Sequence, residues 1–275
     1  MNVVSKQDLR THADAIAGRG YTVMPAVLSP AQVKNAKVAL KKIFAREKAI
    51  GSEENWANPQ YQISLCLPAK DKLFRDLCFV PEILELARMI LGQDCVVTSM
   101  NGFTTKPRGL KQPLHCDFPG ERQLITSILL VMCLDDFTSE NGCTRVVPDS
   151  QRKYGLEKNF EHLESEAVEL EAPSGSLIVY DGDLIHGAGL NQTNDLRLAL
   201  HLVYSRSWVR PQWDFALSMR KGQRDRLTDA ERAMFGIDLH PYILDSYSAR
   251  PFDLSKPGRL GYYIKRVRSK FFSGL

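Results

Sequence analysis

The chain has 275 residues, 44% of them hydrophobic and 25% charged, with a formal net charge of +4. That length accommodates one β-rich domain with a sizeable core, and the expectation is a single domain over residues 1–275. The small, dispersed positive charge argues against a nucleic-acid partner, and no apolar run approaches membrane-spanning length.

Met1-Asn2-Val3-Val4-Ser5-Lys6-Gln7-Asp8 lacks the apolar segment of a secretory signal. Six cysteines, at 66, 78, 95, 116, 133 and 143, form no Cys-x-x-Cys pair and sit mostly in apolar runs. They read as reduced, buried thiols of a cytoplasmic protein rather than a disulfide framework or zinc site. Asn191-Gln192-Thr193 spells a glycosylation sequon, which carries no weight without a secretory route.

Residues 1–94 are expected to be helix-rich. Ser29-Pro30-Ala31-Gln32 supplies an N-cap, a proline at the first helical position and a capping-box glutamine, with Leu28 and Val33 as the flanking apolar pair. Val33, Ala36, Leu40 and Ile43 then recur at helical spacing. A second helix is expected from Pro81, carrying Leu84, Ala87 and Ile90 to Gly92. Residues 51–70, with Trp56, Pro59, Tyr61 and Pro68, show no period and read as a loop with a lid as one use.

From Cys95 the pattern turns to strands, expected at Val96 to Thr105, Leu124 to Leu134, Arg145 to Val147, Leu177 to Tyr180 and Leu198 to Tyr204. Turns separate them at Pro107-Arg108-Gly109, Glu140-Asn141-Gly142, Pro173-Ser174-Gly175 and Asn191 to Asp195. Many short strands punctuated in this way indicate a sandwich or jelly roll over 95–215, and helices ahead of a β core make the fold α+β. The remaining extension, 216–275, holds a capping box at Thr228-Asp229-Ala230-Glu231 for a helix closing at Gly236. Its basic, aromatic end, Tyr262 to Phe272, reads as a packed or frayed terminal segment, with a membrane-surface element as the alternative.

His115-Cys116-Asp117, a distant His186 and then Arg197 are the residues that carry chemistry. Two imidazoles and one carboxylate form the ligand set that holds a non-haem Fe(II) on one face and leaves three positions open. On a strand, His115 and Asp117 would share a face, with Cα atoms roughly 6.5 Å apart, and Cys116 would point away. The third ligand must then come from elsewhere, which His186 satisfies. Singly, each histidine reads as a hydrogen-bonded structural residue. Of the other four, His12 lies in the helical segment, His162 in an acidic loop and His240 in a proline-containing stretch, while His201 sits in the last strand, where a core role is expected. Arg197 stands among Leu196, Leu198, Ala199 and Leu200, and a guanidinium buried there needs an anionic partner. A carboxylate ligand gripped by two hydrogen bonds would supply one.

These residues resemble the phytanoyl-CoA dioxygenase family of Fe(II)/2-oxoglutarate oxygenases. The likeness extends to Asn141-Gly142 through Val147-Pro148-Asp149-Ser150, to His186-Gly187-Ala188-Gly189-x-Asn191 and to Ser205 through Gln212, and spans roughly residues 95–215. The resemblance implies a double-stranded β-helix with Fe(II) on His115, Asp117 and His186, 2-oxoglutarate as cosubstrate with Arg197 on its far carboxylate, and O2 as oxidant. It further implies hydroxylation of a small-molecule substrate. Asp117 stands where related halogenases have a small residue, so hydroxylation, desaturation or ring formation is expected over halogenation. The sequence departs from the family pattern at Gln151, where histidine is frequent, and at Ala188, in place of a serine that touches 2-oxoglutarate in some members. Thr104 is the substitute contact expected for the cosubstrate, against its plainer reading as a β-branched strand residue.

For the substrate, Phe118, Arg122 and Trp208 are candidate contacts, the aromatics as walls. Lys106, Arg108, Lys111, Arg122, Arg206 and Arg210 could make an anion-friendly mouth, or simply be solvated surface. A non-catalytic β-barrel binding protein and a metal-dependent hydrolase using the same His/Asp/His set are the competing readings.

Overall fold

The computed structural model describes residues 5–50, 61–119, 124–154 and 157–237. Arg122, His240, Trp56, Pro59, the extension beyond 237 and its basic aromatic end lie outside them, as does that part of the single-domain expectation.

The first helix, α1 (Lys6–Arg19), starts on a capping box that the sequence reading did not single out. Ser5 accepts from the Asp8 N–H at 3.1 Å, and the Asp8 carboxylate accepts from the Ser5 N–H at 3.1 Å. It stops at Gly20, whose φ of 91° a side chain would strain, and a Cβ there would lie 2.4 Å from Leu184. The chain turns at once into β1 (Tyr21–Met24). Helix α2 (Pro30–Ala49) carries the expected box: Ser29 Oγ accepts from the Gln32 N–H at 3.2 Å and Gln32 Oε1 accepts from the Ser29 N–H at 2.9 Å. Its buried face is Val33, Ala36, Leu40 and Phe44, with Ile43 packed beside it.

The expected loop over 51–70 is corrected where it is described. Tyr61–Ser64 form β2, which pairs with the next long strand, and Leu67–Lys70 form a short helix, α3, followed by α4 (Lys72–Leu77). Helix α5 (Pro81–Leu91) begins and ends as expected, but its buried face is Ile83, Leu86, Ala87 and Leu91. Leu84 and Ile90 are half-buried at the edge of that face.

Strand β3 (Val96–Thr105) matches its expected span, and β4 (Ser127–Cys133), β5 (Thr144–Val146), β7 (Leu177–Asp181) and β9 (Arg197–Ser205) lie within a few residues of theirs. The three-residue strands β6 (Val168–Leu170) and β8 (His186–Ala188) were not expected; each is too short to show a period. Six strands form one antiparallel sheet in the order β1-β7-β4-β9-β3-β2, and three form a second in the order β6-β5-β8. Past β9 come α6 (Phe215–Ser218), α7 (Lys221–Arg224) and α8 (Asp229–Met234), the last capped by Thr228 and Glu231.

The large sheet has two differently covered faces. Leu198, Leu200, Leu202 and Tyr204 of β9, with Leu130, Met132 and Val179, join one core with Leu40, Ile83 and Leu86 of the helices. Ala199 and Val203, with Leu129, Val131, Ile178 and Tyr180, join a second core with Val146 and Leu170 of the small sheet. Period-two alternation thus makes each central strand apolar on both faces, as a sheet covered on both sides requires. Two sheets facing across such a core are the jelly-roll form of the double-stranded β-helix, and the expected α+β fold holds.

One irregularity controls what faces inward. The β3–β9 register shifts between Val97 and Ser99, so Thr98 is an inserted residue. Its hydroxyl bonds Ser205 Oγ at 3.0 Å, and Ser205 Oγ bonds Ser127 Oγ at 2.8 Å, tying the bulge to both neighbouring strands. Beyond it, Ser99, Asn101, Phe103 and Thr105 pair with the inward residues Val203, His201, Ala199 and Arg197.

Candidate metal centre

His115 follows Pro113 in a long loop between β3 and β4. The loop is irregular, which corrects the expectation that His-x-Asp lies on a strand. A single bridge fixes it: the His115 N–H donates to the His186 carbonyl at 2.9 Å, and the His186 N–H donates back to His115 at 2.9 Å. Directly opposed residues of such a pair project to the same side. Their rings accordingly lie 4.3 Å apart between centroids. Asp117 follows in the bend, which the Phe118 N–H anchors on Gly182 O at 3.3 Å. Its carboxylate oxygens lie 3.6 Å from His115 Nε2 and 3.7 Å from His186 Nε2. One donor atom from each of the three residues falls within 4.8 Å of the others.

Both rings are aimed by the backbone. His115 Nδ1 lies 3.0 Å from Pro113 O, and His186 Nδ1 lies 3.0 Å from Leu184 O. A carbonyl only accepts, so Nδ1 must carry the proton, and each Nε2 presents its lone pair to the shared centre. Burial pulls the His186 pKa down to about 4, His115 adds to the fall, and Asp117 and the Leu184 carbonyl oppose it. The ring is therefore neutral at neutral pH, the form that binds metal. Tyr180 packs on it at 4.6 Å between ring centroids, and burial raises the phenol pKa.

Arg197 enters from the first position of β9. That strand pairs with β3 and β4 in the large sheet, whereas β8 belongs to the small one. Arg197 thus starts from the sheet opposite the one that carries His186. The side chain is 6% exposed, its guanidinium carbon lies 3.9 Å from the Phe137 ring centroid, and Nη2 donates to Thr105 Oγ1 at 2.5 Å. Burial draws its pKa down to about 10. Its Nε is buried with no hydrogen-bond partner among the described residues.

A family model described as phytanoyl-CoA dioxygenase matches residues 17–199, most of the chain. The chain belongs to the phytanoyl-CoA dioxygenase family. Dioxygenase af480 of Aspergillus fumigatus is 26% identical over 268 residues, covering 92% of this chain and 85% of that protein. Among solved structures, the non-heme alpha-ketoglutarate-dependent carbocyclase SnoK from nogalamycin biosynthesis superposes with a TM-score of 0.62 at 22% identity, covering 82% of this chain and 92% of its own. HygX from Streptomyces hygroscopicus, solved with nickel, 2-oxoglutarate and hygromycin B bound, gives a TM-score of 0.59 at 16% identity over 74% of this chain and 89% of its own. These two structures speak for the shared fold. Fe(II) and 2-oxoglutarate, the cofactors expected from the sequence, are those of this family of dioxygenases.

The residues present suit both groups. Two imidazoles with one carboxylate are the facial ligand set of a non-haem Fe(II), and the two Nδ1 contacts fix the rings. The buried, unpartnered Nε of Arg197 is a donor awaiting an acceptor, and a guanidinium offers a carboxylate two parallel hydrogen bonds.

Other expected residues are placed differently. Thr104 pairs with Leu198 on the helix-facing side, where a Cβ at Gly102, two residues back, would meet Leu40 at 2.3 Å. Thr104 is thus turned away from the interior, and Thr105 is the hydroxyl beside Arg197. Phe118 packs against the inner core, and a Cβ on Gly182 would lie 2.9 Å from its ring. Trp208 is 68% exposed, in a turn beyond the end of β9 remote from Arg197, and forms no wall.

The basic mouth also dissolves in part. Arg206 donates to the Ile125, Leu91 and Ile90 carbonyls, closing the C-terminus of α5. Arg108 donates to Asn194 Oδ1 at 3.0 Å, and Lys111 pairs with Glu164. Gln151 donates to Gly18 O at 2.7 Å, a structural tie between the loop after β5 and α1. Asn191 is 1% exposed and hydrogen-bonded to Thr105 O and Asp195 O, out of reach of glycosylation.

Two inward residues were missed. His201 faces the interior four positions beyond Arg197, although its place in an apolar strand suggested core packing. Asn101, opposite it, accepts from the Cys66 N–H at 3.0 Å and from Trp213 Nε1 at 3.1 Å. The available signal was Arg197 and His201 four positions apart on one face of β9, and Ser99, Asn101 and Thr105 on one face of β3, the latter hidden by the bulge.

Proposed function

We propose that this protein is an Fe(II)- and 2-oxoglutarate-dependent dioxygenase that hydroxylates an unactivated C–H bond of a small-molecule metabolite. His115, Asp117 and His186 are the residues that would hold the iron. Arg197, steadied by Thr105 and Phe137, would hold the far carboxylate of 2-oxoglutarate. Iron, cosubstrate and O2 together would supply the oxidising power for the C–H bond.

The chain's own work is orientation and exclusion of water. Pro113 O and Leu184 O hold the two imidazoles in the ligating tautomer. The inner core of Leu129, Val131, Tyr180 and Val203 keeps the reacting region dry. Phe118, beside Asp117, is the residue we assign to the substrate wall, and Arg122 remains a proposed substrate contact.

The observation that carries this reading is Arg197. A buried cation with an unsatisfied donor, on the same interior as a preorganised His/Asp/His set, suits a dicarboxylate and has no use in a hydrolase. A tailoring role in biosynthesis agrees with two structural neighbours: SnoK comes from nogalamycin biosynthesis, and HygX was solved with hygromycin B bound. SnoK is named a carbocyclase, so ring closure is the alternative outcome on the same site. We place the enzyme in the cytoplasm, where its six cysteines would stay the free thiols seen here. Among the described residues, no helix is long and apolar enough to cross a membrane.

The test is succinate release across a metabolite panel, with and without O2. Substrate-dependent, O2-dependent succinate with a product heavier by one oxygen supports hydroxylation, whereas a product lighter by two hydrogens assigns ring closure or desaturation. Turnover that needs neither O2 nor 2-oxoglutarate would make the protein a hydrolase. Binding without any succinate would make it a non-catalytic binder.

A further inference from the structure

His201 is a polar side chain in the inward column Arg197, Ala199, His201, Val203 of β9. Its ring stacks on Phe103, with centroids 3.9 Å apart and planes 25° from parallel. Across the strands it faces Val131 on one side and Asn101 on the other. Val131 has nothing to offer it. Asn101 is committed, its Oδ1 accepting from Cys66 and Trp213 and its Nδ2 donating to Ser99 Oγ at 3.1 Å. Among the described residues, neither nitrogen of His201 has a hydrogen-bond partner. Yet the residue keeps accessible surface deep within the protein, which means that it borders open interior rather than packed core. An imidazole held by an aromatic ring, unpartnered, and open to the space between two sheets is placed for a ligand.

We infer that His201 is a cosubstrate-binding residue whose imidazole N–H donates to a carboxylate oxygen of 2-oxoglutarate seated between Arg197 and the His115–Asp117–His186 group. This rests on the function proposed above. Two features favour the cosubstrate over the organic substrate as the partner. His201 stands in the same inward column of β9 as Arg197, two same-face positions further along, on the side of the large sheet that faces the small sheet carrying His186. Charge is the second. Fe(II), the Arg197 cation and the Asp117 anion sum to a charge that dianionic 2-oxoglutarate neutralises. Burial draws the His201 pKa down to about 3, so the ring adds no further charge and serves as a neutral donor.

The experiment is a calorimetric titration of 2-oxoglutarate, under argon, into Fe(II)-loaded full-length protein, for the wild type and three variants. His201→Leu should weaken binding about tenfold, the scale of one hydrogen bond to a charged group. His201→Asn, polar but too short to reach, should weaken it as much, and His201→Gln should restore most of the affinity. Iron content and the melting transition check each variant, and the Asn variant carries the test if the Leu variant fails to fold. Wild-type binding with Leu or Asn affinity unchanged within twofold overturns this inference alone. Absence of 2-oxoglutarate binding by the wild type overturns both it and the proposed function.

Discussion

Replacing Arg197 with methionine should move stability and cosubstrate affinity in opposite directions. In the ligand-free protein the guanidinium is 6% exposed and its Nε is unsatisfied. Burial lowers its pKa from 12.5 to about 10, which corresponds to about 3 kcal/mol of stability lost by keeping the charge inside. Methionine retains a flexible apolar stem for the Phe137 contact and gives up the hydrogen bond to Thr105, about 1 kcal/mol. The apo variant should therefore be about 2 kcal/mol more stable than wild type in urea unfolding. For 2-oxoglutarate the sign reverses, because truncating one partner of a buried charge pair costs about 3 kcal/mol, roughly a hundredfold in Kd. Equilibrium urea melts and anaerobic 2-oxoglutarate titrations on the same preparations measure both. An Arg197→Met variant that binds 2-oxoglutarate within twofold of wild type would refute the anchor. A variant that loses stability would refute the claim that the buried cation is there for a ligand.

Thr104 and Thr105 give a paired control. Thr104 Oγ1 is buried without a hydrogen-bond partner among the described residues, so Thr104→Val should be neutral or up to about 1 kcal/mol stabilising, with 2-oxoglutarate affinity unchanged. Thr105→Val removes the partner of Arg197 and should weaken 2-oxoglutarate several-fold; equal effects on affinity would contradict the facing assigned here. Asp117→Ala should abolish stoichiometric Fe(II) binding, measured as metal content after gel filtration, while leaving the fold intact by circular dichroism. In acid, His201 should make the metal-free protein less stable. Its pKa is about 3 in the native state against 6.5 unfolded, so above pH 6.5 it is neutral in both states and contributes nothing. As pH falls from 6.5 towards 3 only the unfolded chain takes up its proton, and stability drops by about 1.4 kcal/mol per pH unit. His201→Leu should flatten the pH dependence of urea midpoints by that amount in this window.

Most of the large sheet and the grouping of His115, Asp117 and His186 were legible in the sequence, for identifiable reasons. Strand β3 is a ten-residue run bounded by turn signals, and the capping boxes of α2 and α8 each satisfy two orphan N–H groups, so their sequence marks are local. Strands β6 and β8 exist through pairing with β5, and three residues are too few to show a pattern. Thr104 was chosen as a strand residue without regard to its facing, and its facing is set by a bulge that leaves no mark in the sequence. Val97 faces the helices, and strict alternation from it would turn Thr104 inward; the inserted Thr98 reverses the parity of everything beyond. The same reversal hid Asn101 from the sequence reading. Trp208 was chosen for residue type alone; Trp213, packed against the helix-side core, is the indole that hydrogen-bonds Asn101. Arg206, legible only as a charge, turned out to close a helix end, since backbone carbonyls leave no mark in sequence.

The most direct test of the whole account is optical. Fe(II) and then 2-oxoglutarate are added under argon to the purified protein, and the visible spectrum is recorded. A metal-to-ligand charge-transfer band that saturates at one iron and one 2-oxoglutarate per chain, and is absent from Asp117→Ala, is the predicted result. A colourless wild-type solution at saturating concentrations of both would contradict the claim that these side chains assemble an iron site able to chelate a 2-oxo acid.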